Sequence, residues 1–206
     1  MPKRSRTLHD KFSNKVQALD ATRQSFEKAF AKHLILDSDI IQGYTGLYLD
    51  LFTEFEGLIE NLFIGILSGS VTPSNTIIKR KLSIKPVSEI EPVLLGEKRA
   101  YLDWLPYAER TIKRANIYFD GGKPFTLLND IEKGKIQTYH RIRNAIAHKS
   151  KKASNDFKNI ITGLTLLPIE KTPQGYLRNI PNASTRLTQL EIIGNELTAI
   201  SHKLCN

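Results

Sequence analysis

With 206 residues, 40% hydrophobic and 25% charged, the chain has the length of one domain with a sizeable core. Its longest apolar run, Leu62 to Leu67, is too short to cross a bilayer, and its basic start, MPKRSRTLHDKF, is not followed by the apolar segment of a secretory signal. A single cysteine, Cys205, excludes a disulfide framework and suits a reducing, cytoplasmic compartment, while the net charge of +9 favours a polyanionic partner such as RNA, DNA or an acidic protein over a merely soluble basic protein.

The first segment, Leu8 to Leu36, contains no Pro or Gly. Phe12, Val16, Leu19, Phe26 and Phe30 recur at helical spacing, which predicts an N-terminal helix within residues 1–36, capped by Thr7 or Asp10. LDSD at 36–39 supplies a stop and a new cap. A second helix is expected from Asp39 to Leu67, on the stripe Tyr44, Tyr48, Leu51, Phe55, Leu58 and Leu62, ended by SGS at 68–70. Two long consecutive amphipathic helices predict an antiparallel pair. Residues 70–100 are interrupted by Pro73, Pro86, Pro92 and Gly96, and read as a long irregular connection with short helical turns.

Trp104 to Phe119 is expected to be helical, with DGG at 120–122 as a stop. Another helix should run from Thr126 to His148 on Leu127, Leu128, Ile131, Ile136, Tyr139, Ile142 and Ile146, weakened at Gly134. Ser154 or Asn155 is the expected cap of a short helix reaching Ile161. The stretch LLPIEKTPQGYLRNIP combines Pro, Gly and alternation, which predicts a small β-hairpin or loop. The last helix, over 184–204, carries Leu187, Leu190, Ile193, Leu197, Ile200 and Leu204 on one stripe. The expected fold class is therefore all-α: a single helical-bundle domain over 1–206.

Tyr44, Tyr48, Phe52 and Phe55 read as core, Glu54 and Glu60 as solvated, and Trp104 and Tyr107 as packing residues. No phosphate loop or dinucleotide fingerprint occurs. His33, His140, His148 and His202 do not fall into metal-ligand spacing, and Ser150 and Cys205 lack a nucleophile signature. Basic residues cluster in KRSR at 3–6, in Lys79 to Lys81, and after His148 at Lys149, Lys151 and Lys152.

That leaves RIRNAIAHKS, residues 141–150. On a helix, Arg141, Asn144 and His148 project to one side, away from the apolar face of Tyr139, Ile142 and Ile146. Arg143 lies ~140° from His148 and joins it only through its long side chain, a helix end near Ala147, or a dimer interface. A guanidinium forks onto phosphate oxygens, an imidazole moves a proton near neutrality, and an asparagine orients either. Together they suit RNA cleavage without a metal, the ribose 2′-hydroxyl supplying the nucleophile. A plainer explanation is that cations at a helix C-terminus complement its dipole.

The phrase RNAIAH, Arg143 to His148, resembles the motif of the HEPN superfamily, an arginine followed after four to six residues by a histidine, with a polar residue after the arginine. YLDLFTEFEGLIENLF at 48–63 is similar to the acidic, aromatic helix that precedes that motif, and TRLTQLEIIGNELTAI to the closing helix of the bundle. The likeness spans residues 35–205.

The resemblance implies a small helical bundle that dimerises so that two motifs share a cleft. The implied activity is a metal-independent endoribonuclease of the toxin or anti-phage defence kind, with no cofactor. Some relatives instead bind RNA, nucleotides or proteins without cutting. Carried over, Arg143 and His148 become the catalytic pair, Asn144 a positioning residue and Glu56 the acidic partner. Arg141 also keeps the permitted spacing to His148. From their charge and their place beside this motif, rather than from the resemblance, Arg141, His140, Lys149, Lys151 and Lys152 are expected to bind RNA. Lys151 stands where some relatives carry a tyrosine, so control through that tyrosine is not expected. The implied partners are RNA, a second copy of the chain, and an antitoxin or other defence protein.

Overall fold

The computed structural model describes residues 3–75, 77–82, 84, 87–95, 106 and 108–206. The protein is all-α. Among the described residues the helices are α1 (Arg6–Ala31), α2 (Asp37–Ser68), α3 (Ile90–Leu95), α4 (Ala108–Tyr118), α5 (Asp130–Ala147), α6 (Lys151–Ile161), α7 (Pro173–Tyr176) and α8 (Gln189–Cys205). Two-residue strands β1 (Lys3–Arg4) and β2 (Val71–Thr72) pair in parallel. The chain divides into two compact units: one holds residues 1–13, 55–137 and 198–206, the other 14–54 and 138–197. The boundaries fall inside α1, α2, α5 and α8.

In the 14–54/138–197 unit, α1 stops at Ala31 rather than near Leu36. His33 adopts a left-handed φ of 56°, and the Leu34 N–H donates to the Ala29 carbonyl at 3.0 Å, a closure that ends the helix without glycine. Leu34 and Leu36 are left 72% and 70% exposed. The Asp39 carboxylate then accepts from the Leu36 N–H as α2 begins. α1 and α2 approach so closely that a Cβ at Gly43 would lie 2.8 Å from the Phe26 ring. Beside that contact the Tyr44 hydroxyl donates to Glu27 at 2.7 Å, and Arg178 donates to both Glu27 oxygens at 2.9 Å. The same guanidinium sits 4.5 Å above the Phe30 ring. Arg23 ties α1 to α8 through Glu191 at 2.7 Å and also holds Asp20 at 2.8 Å.

The buried Tyr48 hydroxyl donates to the Tyr139 carbonyl at 2.6 Å, joining α2 to α5. Tyr139 in turn donates to Glu196 on α8. Ile40, Leu47, Leu51, Phe52, Ile142, Ile193 and Leu197 fill the space between the helices. α6 is capped by Ser150, whose hydroxyl accepts from the Ala153 N–H at 3.1 Å, earlier than the expected Ser154 or Asn155. It packs through Ala153 and Phe157, the latter edge-on to Tyr176 at 5.7 Å.

Of the two alternatives expected at 166–181, a hairpin or a loop, no strand forms there: the segment holds a 3-10 turn, Ile169–Lys171, followed by α7. Thr172 caps Gly175, and Pro173 takes the first helical position, where its missing N–H costs nothing. α8 starts at Gln189, not 184. Thr188 and Glu191 cap each other there: the Thr188 N–H donates to Glu191 at 2.8 Å, and the Glu191 N–H to the Thr188 hydroxyl at 3.3 Å.

The other unit is built around α2 from Phe55 to Ser68. Its Phe63 ring meets Phe119 at 5.0 Å and Phe125 at 5.4 Å, and Phe12 of α1 lies 5.8 Å from Phe55. Leu62, Leu67, Ile90, Leu94 and Leu204 complete that core. The strand pair aligns Lys3 with Val71 and Arg4 with Thr72. α3 lies within the segment expected to be irregular. α5 starts at Asp130 rather than Thr126, because Asn129 and Glu132 cap each other at 2.8 and 2.9 Å. Trp104 and Tyr107 lie outside the described residues. Cys205 is buried, which pushes its thiol up to about 12.

Three predictions follow from the unit of residues 14–54 and 138–197. Gly43→Ala forces the Phe26 ring to move and should cost about 1–3 kcal/mol in chemical denaturation. Gly46→Ala, with nothing within 4 Å of the added carbon, should gain roughly 0.5–1 kcal/mol in the same helix. The hydrogen bonds from Arg178 hold the Glu27 carboxyl below its ordinary 4.5. Its contribution to stability is complete above that value and is lost as the pH falls through and below it. Glu27→Gln should therefore lower stability at neutral pH and flatten the loss of melting temperature on acidification.

Candidate functional site

The candidate site occupies the C-terminal half of α5 and the three residues after it. Tyr139 and Ile142 are buried, as the helical pattern requires, so neighbouring positions turn outward. Arg141 is exposed; Arg143 and Asn144 are half-buried. His148 is exposed and lies just past the helix end at Ala147. Its N–H still donates to the Asn144 carbonyl at 2.9 Å. Only Lys149 separates it from Ser150, the cap of α6.

Asn144 is the node of this region. Its Oδ1 accepts from Arg143 Nη1 at 3.3 Å. Its Nδ2 lies 3.3 Å from Nδ1 of His140, one turn earlier. Nδ2 also lies 3.5 Å from Nε2 of the same ring; as an amide nitrogen it donates, and a ring nitrogen of His140 accepts. His140 is only 7% exposed, and its ring is 6.0 Å from Phe52. One polar chain thus runs from the half-buried Arg143 through Asn144 to the buried His140. The Arg143 charge also reaches the Tyr48 phenol, where burial outweighs it and holds the hydroxyl well above its ordinary value.

The sequence-predicted residues are therefore only partly brought together. Arg143, Asn144 and His140 are hydrogen-bonded. His148 joins them through its backbone, and none of the described residues bonds its ring. Lys149, Lys151 and Lys152 are exposed around the α6 start. Glu56, half-buried on α2, belongs to the other compact unit. His140 was expected only as an RNA-binding residue; its four-residue spacing to Asn144 was the available sign of the tighter link.

Two clefts of about 340 and 680 Å³ lie on the same unit, and Arg23 lines both. Neither is lined by Arg143, Asn144 or His148. Among the described residues, no group of three or more His, Cys, Asp or Glu side chains is placed to hold a metal ion. Nor is any helix there long and apolar enough to cross a membrane.

The fold defines the class: an all-α protein with an Arg–Asn–His chain at one helix end. Comparison with known proteins returns no matching family model, curated protein or solved structure.

The two imidazoles should differ sharply in accessibility. Acylation with an imidazole-directed reagent, read by peptide mass spectrometry, is expected to modify His148 rapidly and His140 at least about tenfold more slowly, through burial and the bond to Asn144. Asn144→Ala should raise the His140 rate towards that of His148.

Proposed function

We propose that the protein is a metal-independent endoribonuclease of HEPN type, acting as a homodimer. The observation that carries this reading is the triple engagement of Asn144: its side chain with Arg143 and His140, its carbonyl with the His148 N–H. An asparagine held this way orients the arginine relative to the histidine that follows it. The chemistry then has a physical order. The ribose 2′-oxygen attacks the adjacent phosphorus, the bond to the 5′-oxygen breaks, and a cyclic phosphate and a free 5′-hydroxyl result. One imidazole takes the proton from the 2′-hydroxyl and a second gives one to the leaving oxygen.

A single chain presents one exposed histidine at this helix end, so His148 from each of two copies would supply the pair. Arg143 would hold the scissile phosphate and stabilise the charge that develops on it. Asn144 and His140 act as positioning residues. Arg141, Lys149, Lys151 and Lys152 would steer the polyanion. No step is assigned to Glu56. The setting that the resemblance implies, and that we propose with it, is a cytoplasmic toxin or anti-phage effector, restrained by an antitoxin or another protein of the same defence system.

A second reading has its own support. The His148 ring is exposed and without a side-chain hydrogen bond among the described residues, which suits a module that binds RNA without cutting it.

The deciding measurement is incubation of labelled RNA with the purified protein in EDTA. The nuclease reading expects cleavage by the wild type, and a loss of about 100-fold or more in His148→Ala and Arg143→Ala. His148→Ala should still bind RNA within about twofold of the wild type, since Arg141, Arg143 and the lysines that would pair with phosphate are kept. Cleavage at the wild-type rate by both variants excludes the assignment. Binding without cleavage by the wild type selects the second reading.

A further inference from the structure

We infer that the unit containing α4 carries a separate surface that grips the phosphate backbone of RNA, formed by Lys79, Lys81, Lys113, Arg114 and Lys123. Taking RNA as the partner rests on the reading above; the surface itself rests on its own geometry.

α4 buries Ala108, Thr111, Ala115 and Tyr118. Its opposite side therefore faces solvent, with Lys113 exposed and Arg114 half-buried beside it. The segment from Lys79 to Lys81 is pinned against the end of that helix. The Lys81 N–H donates to the Tyr118 carbonyl at 2.8 Å, and the Asp120 N–H to the Lys79 carbonyl at 2.9 Å. Arg80 pairs with Phe119 in an antiparallel bridge and donates to the Leu67 carbonyl at 3.3 Å. Arg80 thereby serves the fold and leaves its two neighbours outward. Lys81 Nζ donates to the Asn116 carbonyl at 2.8 Å, one turn beyond Lys113. Lys123 is exposed after the turn at Asp120–Gly122, which packs on α4.

None of the five cations has an acidic partner among the described residues. The acids nearest in the chain are Glu109, at the start of α4, and Asp120. Gathering five unpaired cations on an ordered surface raises their mutual repulsion, which a polyanion relieves. A protein partner would need desolvated aromatic or aliphatic anchors; among the described residues the exposed apolar side chains near these cations in the chain are the aliphatic Ile77, Leu82 and Ile117, with no exposed ring, and the five cations outnumber them. A phosphate backbone needs only spaced positive charges. The surface would hold RNA without reading its sequence, since it presents cations rather than stacking rings or paired donors and acceptors.

The test uses His148→Ala protein, so that RNA stays intact, with and without the triple substitution Lys79→Gln, Lys113→Gln, Lys123→Gln. None of these three side chains makes a hydrogen bond or ion pair, so the melting temperature should be unchanged. Binding of a labelled single-stranded RNA is followed across a salt series. The triple variant should bind about tenfold or more weakly near physiological salt, with a log–log salt slope shallower by about 2. An unchanged affinity and slope in a folded triple variant overturns the proposal. Equal, equally salt-sensitive binding of polyglutamate would make the surface a general anion patch and also overturns it.

The two readings fail separately. If otherwise wild-type protein cannot cut RNA but the triple variant still loses binding, the nuclease falls and this surface stands. If RNA is cut and binding ignores the three lysines, the surface falls and the nuclease stands.

Discussion

The hydroxyl of Tyr48 sets the position of the candidate site. It is buried and has one destination, the carbonyl of Tyr139 inside α5. That carbonyl is the regular helical acceptor for the N–H of Arg143. A phenol left without its partner in an apolar interior costs about 1–3 kcal/mol, so neither a slide nor a rotation of α5 against α2 is free. With Tyr139 and Ile142 held inward, His140 is buried against Phe52, and Arg143 and Asn144 stand at the boundary with solvent. The polar chain at the helix end is the outward consequence of one inward hydrogen bond.

A second constraint acts where α1 meets the segment before α8. Arg178 comes from a stretch with little regular structure, yet it donates twice to Glu27 and covers Phe30. It adds a polar anchor to the apolar one that the buried Tyr176 and Leu177 give that stretch, in which Leu167, Ile169 and Ile180 remain exposed.

The existence of the long helices was legible because their stripes are long and regular: Tyr44, Tyr48, Leu51, Phe55, Leu58 and Leu62 all became core. Their ends were less so. α1 closes on His33, a residue with no strong stop signal, through a left-handed turn that depends on the chain doubling back. The starts of α5 and α8 were readable in principle, as Asn129 with Glu132 and Thr188 with Glu191, but upstream polar residues offered equally good caps. Of the hairpin and the loop expected near Pro173, the hairpin failed because alternation over a few residues does not distinguish a strand from a capped helical turn. At the site, the side chains that α5 turns outward followed from its period. The bond between Asn144 and His140 needed rotamers, and the place of Glu56 in a different compact unit needed the tertiary fold.

The narrow approach of α1 and α2 at Gly43 has a bearing on how such a chain can change over generations. The ring of Phe26 occupies the space a larger residue at 43 would need, so the two positions share one volume. Position 43 cannot enlarge while that ring stays where it is. A bulkier side chain on α2 becomes acceptable only after a smaller one has appeared on α1, and related chains should inherit the two substitutions as a pair.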